Sequence, residues 1–327
     1  MNKPPSKTYK KADKKMDKKP SKKMAGKTDE KPENDEIIPG ERLQKVMANA
    51  GLGSRRGLDK EIDAGHVSVN GKVAILGEKV NLGDKVTFHE NNWEVAAQSA
   101  PERTLIYNKP LGEITSRSDP QGRPTVFERL PKLENSRWIA VGRLDINTTG
   151  LMLLTTDGEL AHKMMHPSSK IDREYACRIH GEVSDEVMQT LRDGVELDDG
   201  PARFSDIQRA GHSGENYWFH VVIMEGRNRE VRRLWASQGL EVSRLKRVRY
   251  GPVFLPSKLK RGMFTDITLR DHNLLREEVK LTARAHSINL KPIGTHSQAA
   301  KAKWQKKPGK KQGQPRAQRR FVSRRFK

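Results

Sequence analysis

Apolar residues recur along this chain in two rhythms, one of helices and one of strands. Leu43, Val46, Met47 and Ala50 follow the i, i+3, i+4, i+7 spacing of one helix face, and Gly51 behind them suits a left-handed stop. A second helix is predicted from Ser54, a good N-cap, to Ala64, with Leu58 and Ile62 on one face and Gly65 at its end. The rhythm then changes to period two. His66–Val69 alternates, Asn70-Gly71 is a hairpin signal, Val73 begins the return, and Val86 and Phe88 alternate after a Gly83-Asp84 turn.

From Pro101 onward the predicted strands are longer. Thr104–Tyr107 and Trp138–Val141 read as strands, and Leu151–Leu154, apolar on both faces, reads as a central one. A turn-rich loop, 118–124, separates the first two. Gly142–Gly150, rich in short polar residues, separates the second and third. Thr156 and Glu159 have the spacing of a capping box ahead of Leu160, Lys163 and Met164. Further on, Val231, Leu234 and Trp235 form an apolar helix face beside a basic face of Arg229, Arg232 and Arg233, with Asn228 as candidate N-cap.

Charge changes this picture mainly at the ends. Residues 1–40 hold 12 Lys, no Arg and 7 acids, and residues 291–327 hold 13 Lys or Arg and no acid. These two segments supply most of the formal charge of +22. They lack the apolar residues that offset backbone ordering, so disorder is expected there. Their charge suits a polyanion or, more simply, serves solubility. A single cysteine, Cys177, excludes an internal disulfide and fits a reducing compartment. The Lys-rich start has no apolar stretch of a secretory signal, and no apolar run is long enough for a bilayer. These features predict a cytoplasmic protein with no membrane contact. No heptad or exposed apolar stripe stands out, so a monomer is expected.

The candidate chemistry is sparse. No phosphate-binding glycine loop is present, and His162 and His166, one helical turn apart, lack a third metal ligand. No metal and no cofactor are therefore expected. Arg55 and Arg56 stand in the first turn of the second helix, where cations oppose the helix dipole. A phosphate bound there would reverse that penalty, although exposed arginines also occur without function. Asp145, on the loop between two buried strands, reads either as a turn aspartate bonding its own backbone or as a polar group presented by a rigid scaffold.

Longer motifs decide among these alternatives. The stretch ERLQKVMANAGLGSRRGLDKEIDAGHVSVNGKVA resembles an S4 domain, a small module that binds structured RNA. GRLDINTTGLMLLTTDGEL resembles the signature of the ribosomal small-subunit type of pseudouridine synthase. YNKPLGEITSRSDPQGRPTVFERLP, REYACRIHG and EGRNREVRRLWASQGLEVSRLKRVRYG resemble further blocks of that family. The resemblance implies isomerisation of uridine: N1–C1′ breaks and C5–C1′ forms, with no net oxidation and no donated group. It implies that Asp145 is the nucleophile, that Tyr175 stacks on the flipped base and assists proton handling, that Arg232 forms a salt bridge to Asp145, and that Leu245 packs against the base. Whether Asp145 attacks C1′, adds to C6 or deprotonates the sugar stays open.

RNA contacts are expected from Arg42, Lys45, Ser54, Arg55, Arg56 and Asn70 in the first module. Arg143, Arg229 and Arg233 are expected to make them in the second. The implied partner is 23S ribosomal RNA or a large-subunit assembly intermediate. The alternatives are the same chemistry on tRNA or 16S ribosomal RNA, or an rRNA-binding assembly factor without activity. The implied fold is α+β: a small S4 module and then a mixed, mainly antiparallel sheet. The expected division is a disordered tail over 1–40, the S4-like module and linker over 41–100, the catalytic domain over 101–275, and a basic, largely disordered tail over 276–327.

Overall fold

The computed structural model describes residues 40–98, 101–282 and 287–293. Residues 1–39 of the expected 1–40 tail and residues 294–327 of the expected 276–327 tail lie outside the described residues. The first unit begins with β1 (Glu41–Arg42), α1 (Leu43–Asn49) and α2 (Arg55–Asp63). There follow β2 (Val67–Val69), β3 (Lys72–Val73), β4 (Lys79–Val80), β5 (Lys85–Phe88) and β6 (Asn91–Ala97). Leu43, Val46 and Met47 are fully buried, as their helical spacing predicts, and pack with Leu58, Ile62, Val86 and Phe88. Each such side chain contributes about 1.5–3 kcal/mol on removal from water. The Ser54 hydroxyl accepts a hydrogen bond from the Gly57 amide at 3.0 Å and so caps α2. Asn70 and Gly71, with φ of 51° and 79°, make the tight turn between β2 and β3.

The second unit is built on a nine-stranded sheet. Its strands are β7 (Thr104–Lys109), β8 (Ile139–Val141), β9 (Thr149–Thr155), β10 (Arg173–His180), β13 (Asp206–Ser213), β14 (Asn216–Ile223), β15 (Val242–Tyr250), β16 (Val253–Phe254) and β17 (Phe264–Asp266); β11 (Val195–Leu197) and β12 (Gly200–Ala202) form a separate hairpin. The main path runs β13-β14-β10-β15-β9-β7-β17, with β8 on β9 and β16 on β15. Its pairings are antiparallel apart from β9–β15, which is parallel. The predicted central strand is indeed central: β9 lies between β7 and β15 and is buried from Gly150 to Thr155. At its start Gly150 faces Arg247 so closely that a Cβ would stand 2.2 Å from the Arg247 carbonyl oxygen, and its φ is 101°. Only glycine fits there. The helices α3 (Gly158–Met165), α4 (Asp185–Asp193), α5 (Glu230–Ala236) and α6 (Leu269–Glu278) flank this sheet.

Three local expectations change. Asp157, not Thr156, caps α3: its carboxylate accepts from the amides of Glu159 and Leu160, both at 3.0 Å. Thr156 instead donates to Glu102. Arg229, not Asn228, occupies the N-cap position of α5, in a left-handed conformation, and the Glu230 carboxylate takes the Arg227 amide. The segment from 276 was expected to be largely disordered, yet it holds the end of α6 and a strand, β18 (Ile288–Pro292), paired antiparallel to β6 of the first unit. The reason is burial: Ile288 and Leu290 point into the core of the first unit and are 1% and 2% exposed.

Candidate active site

The loop from Gly142 to Thr148 joins β8 to β9 and carries Asp145. Four neighbours fix its backbone. The Thr115 hydroxyl donates to the Leu144 carbonyl at 3.1 Å. The Gly112 amide donates to the Ile146 carbonyl at 3.0 Å. A guanidinium nitrogen of Arg232 donates to the Asn147 carbonyl at 3.1 Å, and the Lys109 ammonium donates to the Thr148 carbonyl at 2.9 Å. The loop closes on itself through the Thr148 amide and the Asp145 carbonyl, 3.0 Å apart. Asp145 is thus flanked on both sides by pinned peptide units, while its half-buried side chain faces a cleft of about 980 Å³.

Tyr175 on β10 and Leu245 on β15 line the same cleft, 8% and 6% exposed. Arg143 and Arg229, both exposed, stand at its edge. The structure therefore gathers Asp145, Tyr175, Leu245, Arg143 and Arg229 around one cavity. An apolar and aromatic wall facing a carboxylate suits a flat base placed over a sugar.

The expected ion pair between Arg232 and Asp145 is absent among the described residues. Arg232 divides its guanidinium between two carbonyls, those of Asn147 and, at 2.7 Å, Val242. Burial pulls its pKa down, and so does the charge of Arg229, while Asp145 opposes both. The two groups are near enough to attract, but the donor fork is occupied by the loop backbone. Arg233 is also placed otherwise than expected. It makes a bidentate pair with Asp199, both contacts at 2.8 Å, and ties α5 to the β11–β12 hairpin away from the cleft.

In the first unit, Arg42, Arg55 and Arg56 are exposed. Lys45 is engaged with Glu41 at 2.8 Å. The Asn70 amide bridges Asp84 and the Lys85 backbone, 2.9 Å each, so it holds the turn together. Ser54 serves as a cap. His162 and His166 have ring centres 5.9 Å apart, and His166 bonds Ser168. Among the described residues no group of three metal-ligating side chains occurs.

Sequence reading missed two cations beside the cleft. Lys109 is fully buried at the end of β7. Burial lowers its pKa to about 8, against the attraction of Glu113 and Asp145. Arg247, 2% exposed, lines the cleft, with Nε on the Leu151 carbonyl at 2.8 Å and a terminal nitrogen, Nη2, that has no partner. The Lys109-Pro110 pair after a strand was the available signal for the first. Arg247 offered none, because its burial follows from the parallel approach of β15 to β9.

Residues 103–237 match the family described as RNA pseudouridylate synthase, and residues 41–86 match the S4 domain. A solved structure described as a crystal structure of pseudouridylate synthase superposes with a TM-score of 0.50 and 26% identity, covering 72% of this chain and 99% of its own. The chain belongs to the RNA pseudouridylate synthase family, enzymes that isomerise uridine within RNA, and carries an S4 domain ahead of the catalytic sheet. Among its curated relatives is ribosomal large subunit pseudouridine synthase B of Pseudomonas aeruginosa, 55% identical over 275 residues, which are 83% of this chain and 69% of that protein. The protein of the same name from Vibrio cholerae is 54% identical over 256 residues, 77% of this chain and 79% of its own.

Proposed function

We propose that this enzyme converts a uridine of 23S ribosomal RNA, within the large subunit or an assembly intermediate, to pseudouridine, with Asp145 as the nucleophile. The observation that carries this reading is the pinned Gly142–Thr148 loop, which holds one carboxylate opposite Tyr175 and Leu245 in a cleft large enough for a nucleotide. The large-subunit assignment is supported by the names of the relatives. Ribosomal RNA as substrate and the single buried cysteine agree with a cytoplasmic location, and we read the enzyme as a monomer.

The target nucleotide leaves its stack and enters the cleft. Tyr175 takes the face of the uracil and Leu245 its edge. Asp145 then acts as the nucleophile while N1–C1′ breaks; the base turns, C5 joins C1′, and the proton on C5 is lost as N1 gains one. Lys109 and Arg232 act through Asp145. Each binds a carbonyl of its loop, and each attracts its negative charge. A preset geometry of this kind contributes because misplacement of a reacting group by about 1 Å lowers rates by on the order of 100-fold.

Purified enzyme, incubated separately with transcripts of 23S ribosomal RNA, 16S ribosomal RNA and tRNA, tests the reading. Pseudouridine is expected in the 23S transcript, and Asp145→Asn is expected to bind that transcript without forming product. Product in tRNA or 16S RNA alone would replace the substrate and keep the chemistry. Product from Asp145→Asn would remove the nucleophile.

A further inference from the structure

Several arginines of the catalytic unit have an acidic partner. Arg123 pairs with Asp119 at 2.8 Å, Arg129 with Glu113 at 2.9 Å and Arg233 with Asp199 at 2.8 Å. The seam between the S4 unit and the catalytic unit holds a cluster of its own. Three arginines meet there, and among the described residues none of them joins a salt bridge.

The geometry brings them together through backbone contacts. Arg137, on the segment that enters β8, reaches across the seam and donates from Nη1 to the Gly53 carbonyl at 2.8 Å. Gly53 lies two residues before Arg55, the first residue of α2. Arg117, which lines the catalytic cleft, donates to the carbonyl of Trp138, the residue beside Arg137, and stacks its guanidinium 4.7 Å from the Phe127 ring centre. Arg55 extends over the start of α3, where a Cβ on Gly158 would lie 3.7 Å from its Nη2. The acids of that helix start are engaged elsewhere: Asp157 and Glu159 both pair with Arg276. Burial and the like charges of Arg117 and Arg55 pull Arg137 down to about 10, so both neighbours repel it. Arg137 Nε is buried with no acceptor.

Three like charges with an unpartnered donor, set where two units meet, oppose the closed seam unless an anion joins them. We infer that Arg55, Arg117 and Arg137 form a single phosphate site across the seam, and that its ligand is a backbone phosphodiester of the RNA whose target nucleotide enters the cleft. The site rests on the reading of this enzyme as acting on ribosomal RNA, and it adds to that reading a physical link between the two units. Arg117 faces the cleft and Arg55 opens α2, so one bound phosphate fixes the S4 unit and the catalytic unit in register on the same RNA. Planar guanidiniums suit this task because each presents paired donors to phosphate oxygens.

The test measures affinity of the full chain for a 23S ribosomal RNA transcript across a salt series, for wild type, Arg55→Ala, Arg137→Ala and the double variant. Each single variant is expected to weaken binding by about tenfold and to flatten the plot of log Kd against log salt by roughly one unit. The double variant is expected to lose less than the product of the two single losses, because both side chains hold one phosphate. Arg55→Ala leaves the Arg137–Gly53 contact in place, and the Tm of the RNA-free protein is expected to stay or rise as repulsion is relieved. That outcome separates lost binding from lost folding. Unchanged salt slopes, or losses that multiply fully, overturn the shared site. If wild type neither binds nor modifies the transcript, the ribosomal reading falls and this site with it; if it does both while the variants match it, only the site falls.

Discussion

The place of Asp145 on a polar loop between two buried strands was legible from the sequence, whereas its electrostatic setting was not. The direct Arg232 pair expected from the family is replaced by two cations that bind the loop carbonyls beside Asp145. Lys109 lies beyond the Thr104–Tyr107 run that reads as a strand. In the fold it is the last residue of β7, fully buried. Burial depresses the Lys109 pKa to about 8, so its proton is held below that pH and lost above it. The sign follows: below pH 8 the ammonium is present to attract Asp145, and above it the attraction and the strong bond to the Thr148 carbonyl weaken. With RNA saturating, kcat is expected to fall along an alkaline limb with a midpoint near pH 8. Lys109→Met is expected to be slower by roughly 10- to 100-fold and to lack that limb. Persistence of the limb in Lys109→Met would assign it to another group.

The element that matters most is the Gly142–Thr148 loop, and the sequence showed its place but not its support. Its flanking strands follow from the alternation and apolar run on either side. Its pins come from β7, from the 112–115 segment and from α5, far apart in sequence. Periodicity reports which face of an element is buried, not which carbonyl a distant side chain finds. Arg232→Met removes the pin at Asn147 and leaves Asp145, Tyr175 and Leu245 in place. The expected result is a fall in kcat by on the order of 100-fold with KM changed by less than about threefold. A rise in KM at constant kcat would mean that Arg232 binds RNA directly. The caps expected at α3 and α5 are replaced locally: Asp157 rather than Thr156 reaches the amides of Glu159 and Leu160, and at α5 Arg229 holds the N-cap position with no side-chain cap while Glu230 bonds the Arg227 amide ahead of the helix.

At the scale of the whole molecule, the chain leaves the catalytic sheet through α6 and returns to the first unit as β18. Composition concealed this, since the basic residues around 291 resemble the tail that follows. The strand has its partner, β6, nearly two hundred residues earlier, and a pairing of that reach leaves no local signal. α6 is fastened by Arg276 and His272, both 3% exposed at the side chain, against the fully buried Asp157. Burial alone would raise the Asp157 pKa. Hydrogen bonds from His272 and the Leu160 amide and the charge of Arg276 outweigh burial and hold it below the usual carboxylate range. A depressed carboxylate stabilises the fold above its unfolded pKa and loses that contribution as pH falls towards its folded value. Arg276→Met leaves Asp157 buried without its cation, an expected loss of about 3 kcal/mol and a Tm lower by roughly 6–10 °C. A Tm within about 2 °C of wild type would show that the pair adds little to holding α6.

The most direct measurement maps pseudouridine across total ribosomal RNA and tRNA by carbodiimide-dependent primer-extension stops. The cells compared lack this gene, or lack it and carry either the wild-type gene or Asp145→Asn. One stop is expected to be missing from 23S ribosomal RNA, restored by wild type and not by Asp145→Asn. An unchanged set of stops in the deleted cells, or restoration by Asp145→Asn, would contradict it.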